Sequence, residues 1–463
     1  MDKYQKFLDR KRIADPATGI TGGFALPNVL KHHQADIVKW ALNRGRAAIF
    51  AGTGLGKTLM ELAWAEKVSE YTGKPVLIFA PLAVSQQHIR EADKFGMFAR
   101  IVAKQDDVAM GINVTNYHKI DHFDLSLFGG IVLDESSILK STDGKYRTRI
   151  ITECASIPFR LAATATPAPN DFMELGNHAE FLSVMSYTDM LATFFTHDGG
   201  DTQKWRLKGH AEQEFWKWMA SWAVMLRKPS DLGYDNTGYD LPPLNYQSRM
   251  VHVEYVPSME TGHLFPMEAR TMHERNSARR DSVSERVELA ASITPKDRPF
   301  VWWCNLNSEA DALTRAIPGA VNLSGADDES AKERKMIDFT EGRIRALVTK
   351  ASIAGFGMNW QHCADTGFVG LNDSFEQVYQ AVRRFWRFGQ DRPVNVTFIS
   401  AETEGAIVAN LRRKEADAER MAAAMVLHTA DLSSAIIRGQ IRDKPDYNPQ
   451  IDMKIPEWIG VAA

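Results

Sequence analysis

Three cysteines in a chain of 463 residues leave little room for covalent or metal scaffolding. Cys154, Cys304 and Cys363 stand far apart and no C-x-x-C pair occurs, so neither a disulfide framework nor a zinc module is expected. Buried free thiols are the expected state. No apolar run reaches the roughly 18 residues of a membrane span. The longest candidate, "MAAAMVLHTA", is bounded by Arg420 and Asp431. The opening "MDKYQKFLDRKR" is charged from its second residue and lacks an apolar signal core, so a cytoplasmic protein is expected. Nor is there an excess of either charge. A net charge of −3 excludes a global basic field, and any binding to phosphate backbones needs local clusters of Lys and Arg. Repeats and low-complexity tracts are absent too.

The composition, 44% hydrophobic and 24% charged with mean hydropathy −0.29, is that of a soluble globular chain. Its length suits two or three domains. Short β-branched runs alternate with amphipathic stretches, the pattern of parallel sheet with crossover helices. Strands are expected at "AAIFAG", "PVLIFAP", "INVTNY", "IVLDES" and "FRLAATAT", and again at "FVWWCN", "AVNLSG", "RALVTK", "TGFVGL" and "VNVTFIS". The fold class is therefore α/β with two parallel-sheet lobes, at 30–175 and 296–400. An N-terminal extension (1–29) precedes them, a helical insertion and linker (176–295) separates them, and a C-terminal helix and tail (401–463) follows. The tryptophan-rich "KWRLKGHAEQEFWKWMASWAVMLRK" reads as helix, with Phe215, Trp218, Met219 and Trp222 on one packed face.

"AGTGLGKT", residues 51–58, lies between an expected strand and an expected helix, the context a phosphate loop requires. Ala51 replaces the first glycine of the pattern, where only a small residue is needed. Gly52, Gly54 and Gly56 let backbone N–H groups close on phosphate oxygens, with Thr53 and Leu55 between them. The helix adds its positive end. Lys57 would reach the β- and γ-phosphates of ATP and Thr58 would ligate Mg²⁺. Such a loop serves kinases, transporters and motors alike. "IVLDESS" ends a strand with Asp134 and Glu135, suited to a Mg²⁺ shell and to activating a water, although an acidic pair there can also cap a helix. In "QAVRRFWRFGQ", Arg384 and Arg387 are three apart on one helical face, where guanidinium groups could meet a γ-phosphate.

Taken in order, these segments resemble a superfamily-two helicase of the Swi/Snf-like branch, the double-stranded DNA translocases. "LKHHQ" resembles the adenine-reading Q motif, with Gln34 as reader, and "AGTGLGKT" is similar to motif I. "VLIFAPLAVSQQ" and "NVTNYHKI" resemble motifs Ia and Ib. "LDESSILKSTDGK" resembles the Asp-Glu-Ala-His block, with Ser136 and Ser137 replacing its last two residues. "TATPAPNDFMEL" resembles motif III, with Thr164 and Thr166 at a strand end. "MLRKPSDLGYDNTGYDLPPL" is similar to the branch's linker. "LSGADDESAKERKMIDF" resembles its second-lobe approach, "VTKASIAGFGMNWQHCAD" motif V with Gly357, and "QAVRRFWRFGQ" motif VI with Trp386 in place of histidine. The resemblance covers roughly residues 30 to 415. It implies two RecA-like lobes, ATP and Mg²⁺ as cofactors, a split ATPase site, and a compact phage or bacterial type working in bacterial or phage-infected host cytoplasm.

It also implies a duplex DNA partner bound without sequence preference. Backbone amides and hydroxyls around Pro81, Ser85, Thr115 and Asn116, and around Asn305, Ser324, Gly325, Lys350 and Asn359, are the expected phosphate contacts. Arg275, Arg279 and Arg286 read as a solvated charged face, since acidic residues are interleaved. Of Trp302 and Trp303, at least one must be core and the other is open to base stacking. A strand-separating DNA or RNA helicase is the rival reading, weighed down by the lack of an obvious wedge hairpin. A slow nucleotide-switched binding module is a further alternative.

Overall fold

Central strands with no polar alternation need cover on both faces, and parallel sheets provide it. The computed structural model describes residues 17–140, 145–168, 171–198, 201–252, 280, 282–354, 359–370, 375–402 and 405–437. Its first sheet contains β1 (Arg46–Ala51), β2 (Val76–Ala80), β3 (Ala99–Ile101), β4 (Ile112–Asn116), β5 (Gly130–Asp134), β6 (Phe159–Thr164) and β9 (Ala223–Leu226). Strands β2, β4, β5 and β6 are buried at every position. The spatial order is β3-β4-β2-β5-β6-β1-β9, all parallel. Helix α1 (His32–Arg44) precedes β1, α2 (Lys57–Thr72) follows it, and α3 (Leu82–Lys94) follows β2.

The last strand of that sheet corrects the helical reading of residues 204–228. Helix α4 (Glu212–Trp222) does bury Phe215, Trp218, Met219 and Trp222, but β9 then leaves the helix and pairs with β1. A four-residue apolar run has too few positions for its period to distinguish strand from helix. The first lobe's sheet thus extends beyond the expected boundary at 175. Before α4, β7 (Phe195–Asp198) and β8 (Asp201–Leu207) form an antiparallel hairpin where none was expected. The Gly199-Gly200 pair between the runs is its sequence signal.

The second sheet comprises β10 (Leu244–Val251), β11 (Phe300–Cys304), β12 (Ala320–Leu323), β13 (Ala346–Lys350), β14 (Asp365–Val369) and β15 (Val394–Ala401). Its order is β10-β15-β14-β11-β13-β12, again wholly parallel. Strand β10 starts directly after Pro242-Pro243 and is mostly exposed, as an edge strand can be, so no apolar pattern announced it. Both Trp302 and Trp303 are core. Their indole N–H groups donate to the hydroxyls of Thr294 (2.8 Å) and Thr366 (2.9 Å), so neither is a base-stacking platform. All three cysteines are buried and free.

Arg286 departs from the solvated face expected for it, while Arg275 and Arg279 lie outside the described residues. Fully buried on α5 (Val283–Ile293), Arg286 meets the equally buried Glu309 at 2.7 Å. The other carboxylate oxygen of Glu309 accepts the N–H groups of Asn305 and Leu306, both at 2.9 Å. One carboxylate therefore neutralises a buried guanidinium and shapes the loop after β11.

Helix α6 (Phe375–Val382) lies between β14 and β15 in the chain, and a long final helix, α7 (Gly405–Ile437), spans both lobes. Glu415 accepts the Tyr246 hydroxyl (2.6 Å) on the second lobe. On the first, His428 stacks on Trp216 at 5.2 Å and the Ser434 hydroxyl donates to Leu232 O at 3.3 Å. No helix among the described residues is long and apolar enough to cross a membrane.

Removing one partner of a buried ion pair strands the other charge. Glu309→Ala is expected to lower stability by about 3–5 kcal/mol, measured by denaturant unfolding. A loss below about 1 kcal/mol, the range of exposed pairs, would mean that the pair does not hold this lobe together.

Candidate active site

The phosphate loop leaves β1 after Ala51 and enters α2 at Lys57. Gly54 and Gly56 adopt φ +87° and +81°, left-handed values that favour glycine, and Gly56 caps α2. Gly52 donates its N–H to Leu226 O (2.9 Å), tying the loop to β9. Ala51 is fully buried, and its carbonyl accepts a hydrogen bond from Lys57 Nζ at 3.0 Å. The methyl group thus fits where the pattern has glycine. Gln34 sits beneath the loop. Its amide nitrogen donates to Leu55 O and its amide oxygen accepts from Lys31 N, both at 2.9 Å. Thr53 and Thr58 flank this cradle in the loop and in the first turn of α2.

The acidic pair lies two strands away, at the same sheet edge. Asp134 ends β5 and is buried. Burial raises its carboxyl to about 7, Glu61 adds to the rise, and His88 and Lys57 oppose it. Glu135 turns into the left-handed region at φ +53°, a backbone cost of roughly 1–2 kcal/mol that is common at functional sites. Its carboxylate accepts from the Thr164 hydroxyl at 3.2 Å, and Thr164 Oγ1 accepts from Thr166 N at 3.1 Å. Burial raises the Glu135 pKa. Lys57 lowers it, Asp134 raises it, and Arg384 and Thr164 lower it further.

The two serines that replace the usual end of the acidic block have partners. Ser136 Oγ lies 3.1 Å from His178 Nε2. Ser137 donates to Glu376 of the second lobe at 3.0 Å, and Lys140 pairs with the same carboxylate.

The second lobe supplies Arg384 and Arg387 just after α6. Buried Arg384 donates from Nε to Gln380 O at 3.1 Å. Its pKa is lowered to about 9 by burial and then by Arg387, against the pull of Glu135 and Asp134. Arg387 donates to the Asn359 side chain, and burial also lowers its pKa. Trp386 donates its indole N–H to Pro242 O at 2.6 Å, which accounts for an indole where the pattern has histidine. Phe388 rests on the phosphate loop: a Cβ at Gly54 would stand 2.8 Å from its backbone nitrogen. Gly357 lies outside the described residues.

Of the expected phosphate contacts, Pro81, Thr115, Asn116, Asn305, Ser324 and Lys350 lie at or just beyond the carboxyl ends of their strands, but many of the polar groups are occupied. Pro81 caps α3. Ser85 and Thr115 are buried with hydroxyls that find no partner among the described residues, and Asn116 Oδ1 accepts from His118 N at 3.1 Å. In the second lobe the N–H of Asn305 goes to Glu309 and that of Ser324 to Asp327, at 2.9 Å each. Those backbone amides therefore bond within the loops, against the expectation that they face phosphate. Asn359 is taken by Arg387, and Gly325 is exposed with its carbonyl accepting from Lys332 at 2.8 Å. Lys350 lines a cavity of about 180 Å³ with Asn305, Ser352 and Gln377. A larger one of about 620 Å³ lies between the phosphate loop, residues 227–241 and α7.

Sequence reading missed Glu61 and His88. Each is fully buried, and they meet at 3.1 Å beside Asp134. The available signal was one acid inside the otherwise apolar "LMELAWA" of α2.

No protein-family profile matches the chain, and no curated protein matches it. Solved structures do match. One is the SWI2/SNF2 ATPase core of Sulfolobus solfataricus in complex with double-stranded DNA, 15% identical, covering 91% of this chain and 98% of that one at a TM-score of 0.41.

Gly54→Ala should cost about 1–2 kcal/mol through its left-handed backbone, and more through overlap with Phe388. Denaturant unfolding in the Phe388→Ala background should recover neither part, because the overlapping atoms are the backbone nitrogen and Cβ of Phe388, which alanine keeps. Equal stability of Gly54→Ala and the parent would contradict the loop geometry.

Proposed function

We propose that this chain is an ATP-driven motor that moves along double-stranded DNA. The observation that carries this reading is the split site: Arg384 of the second lobe lies within electrostatic reach of Glu135 and Asp134 of the first. A lone phosphate-binding domain has no use for such a partner. The residues fit ATP with Mg²⁺, because the glycine loop, the helix end it caps and Lys57 form an anion cradle beside buried Asp134. Thr58 and Asp134 would hold the Mg²⁺, which would neutralise charge on the phosphates. Glu135, held by Thr164, orients and deprotonates water, while Arg384 and Arg387 offset charge developing on the γ-phosphate. Those arginines arrive only when the lobes close, so each turnover is tied to closure and release.

Strand order separates this chemistry from the proposed track. In the first sheet β5, β6 and β1 carry the residues assigned to phosphate chemistry, while Thr115 and Asn116 end β4 and Pro81 follows neighbouring β2. In the second, Lys350 ends β13, while Asn305 and Ser324, just after β11 and β12, have only their side chains left for a phosphate because Glu309 and Asp327 hold their amides. Duplex DNA as the partner rests on the motif order, and sequence-independent grip on contacts that recognise phosphate. The β7–β8 hairpin gives the strand-separating reading one observation in its favour. A slow nucleotide switch sits poorly with the juxtaposed Glu135 and Arg384. We place the protein in bacterial or phage-infected host cytoplasm.

Arg384→Ala should lower DNA-stimulated turnover by about 10³-fold or more with far less effect on nucleotide affinity, measured by ATPase assay and fluorescent-nucleotide titration. Comparable losses in both would make Arg384 a binding residue. Duplex DNA should stimulate turnover more than single strands or RNA, and the protein should displace a triplex third strand while barely opening a forked duplex. Efficient fork opening, abolished by deleting residues 196–206, would establish a strand-separating helicase instead.

A further inference from the structure

The turn that follows Glu135 is gripped from both lobes. Residues Ser136–Lys140 form a short 3₁₀ helix, entered through the Ile138 N–H, which donates to Glu135 O at 3.2 Å. On the first-lobe side the helix Leu175–Phe181 holds it: His178 Nε2 lies 3.1 Å from Ser136 Oγ, and the Asn177 amide donates to Lys140 O at 3.4 Å. From the second lobe comes a single carboxylate. Glu376 Oε1 accepts the Ser137 hydroxyl at 3.0 Å, and Oε2 pairs with Lys140 Nζ. Both oxygens of Glu376 thus bind the other lobe. Glu376 stands in the first turn of α6, an eight-residue helix about 12 Å long. Gln380 follows four residues later and shares its face. Arg384 is fastened to that end of α6. Its N–H donates to Ala381 O at 3.2 Å, its Nε to Gln380 O at 3.1 Å and its Nη2 to Gln380 Oε1 at 3.3 Å. One stiff element therefore joins the carboxylate that holds the turn after Glu135 to the guanidinium that stands within electrostatic reach of Glu135 itself.

We propose that Glu376 is a positioning residue for hydrolysis: by clamping Ser137 and Lys140 it seats α6 on the turn after Glu135 and so sets where Arg384 stands. This rests on the reading of Arg384 as the group that offsets charge on the γ-phosphate. An acid in the first turn of a helix can instead serve only the positive end of its own helix. That role is indifferent to Lys140, whereas the clamp needs it. Displacing a group at a reacting centre by about 1 Å can cost about 10²-fold in rate. Glu376 acts through such a displacement, since its own oxygens are held by Ser137 and Lys140.

The test is ATPase turnover of the full chain with duplex DNA, alongside fluorescent-nucleotide titration and amide hydrogen exchange of the nucleotide-free protein. Glu376→Ala should lower kcat by about 10²-fold and leave nucleotide affinity close to the parent's. Without nucleotide, the same variant should exchange faster in residues 136–140 and 375–384, where the clamp is lost. Lys140→Ala should reproduce most of both effects. Lys140 is 38% exposed, so this variant decides the matter should Glu376→Ala fold poorly. Exchanging the charges, Glu376→Lys with Lys140→Glu, should recover most of the rate that either reversal alone removes, because the Ser137 hydroxyl accepts as well as donates. In the Arg384→Ala background Glu376→Ala should cost little more, since groups that act as a unit are not additive. Parent-like kcat or parent-like exchange in Glu376→Ala and Lys140→Ala, a charge exchange without recovery, or a full further loss in the Arg384→Ala background would each overturn the proposal. A loss of kcat matched by a loss of nucleotide affinity would overturn it too, making Glu376 a binding residue. No turnover in the parent, or full turnover in Arg384→Ala, would sink the reading of Arg384 first and the proposal with it. Impaired Arg384→Ala beside unimpaired Glu376→Ala would sink the proposal alone.

Discussion

Parallel pairing is the constraint on which the rest depends. When every strand of a sheet runs the same way, every loop that follows a strand emerges at one edge. Residues far apart in the chain then meet: the loop after β1, Asp134 and Glu135 after β5, and Thr164 closing β6. These strands are buried on both faces, so the edge is rigid and the groups on it are held by backbone rather than by flexible surface. The second sheet repeats the arrangement and presents Asn305, Ser324 and Lys350 at its own carboxyl edge.

Rigidity has an electrostatic counterpart. Asp134, Glu61, His88, Arg384 and Arg286 are all buried, and isolated buried charges are costly. Each is offset by opposite charge nearby: Arg286 by Glu309, Glu61 and Asp134 by His88, and Arg384 by Glu135 and Asp134. The last of these crosses between lobes. Its strength therefore depends on how closely the lobes approach, which makes the charge balance of the site a function of conformation. Glu376, gripping Ser137 and Lys140, adds a second bridge beside it.

Further contacts join the lobes and the linker beside that site. Trp386 ties the arginine segment to Pro242 in the linker, while Phe388 touches Gly54 across the cleft. Helix α7 runs over both lobes, and Met425 is buried in the first lobe's core. Serine and tryptophan at positions where the resemblance expects other residues thus contribute hydrogen bonds across the cleft and to the linker.

All ten strands expected from the sequence are present, because each is a short run rich in β-branched or aromatic residues set between amphipathic stretches, which marks it as strand where its period alone would not. The glycine-rich turn from β1 into α2 was legible for a related reason: its glycines, lysine and helix start are local. Long-range packing decided the rest. Strand β9 became a strand because β1 offered it an edge, and β10 because β15 did. Arg286 left the solvent because Glu309, twenty-three residues later, met it in the core. The amides of Asn305 and Ser324 turned inward because nearby carboxylates capture them. Glu61 and His88 carry no motif, and only the stacking of α2 against α3 sets them beside Asp134. Local chemistry follows from neighbours in the chain. A buried charge finds its partner through the fold, and one sequence read linearly holds no record of that distance.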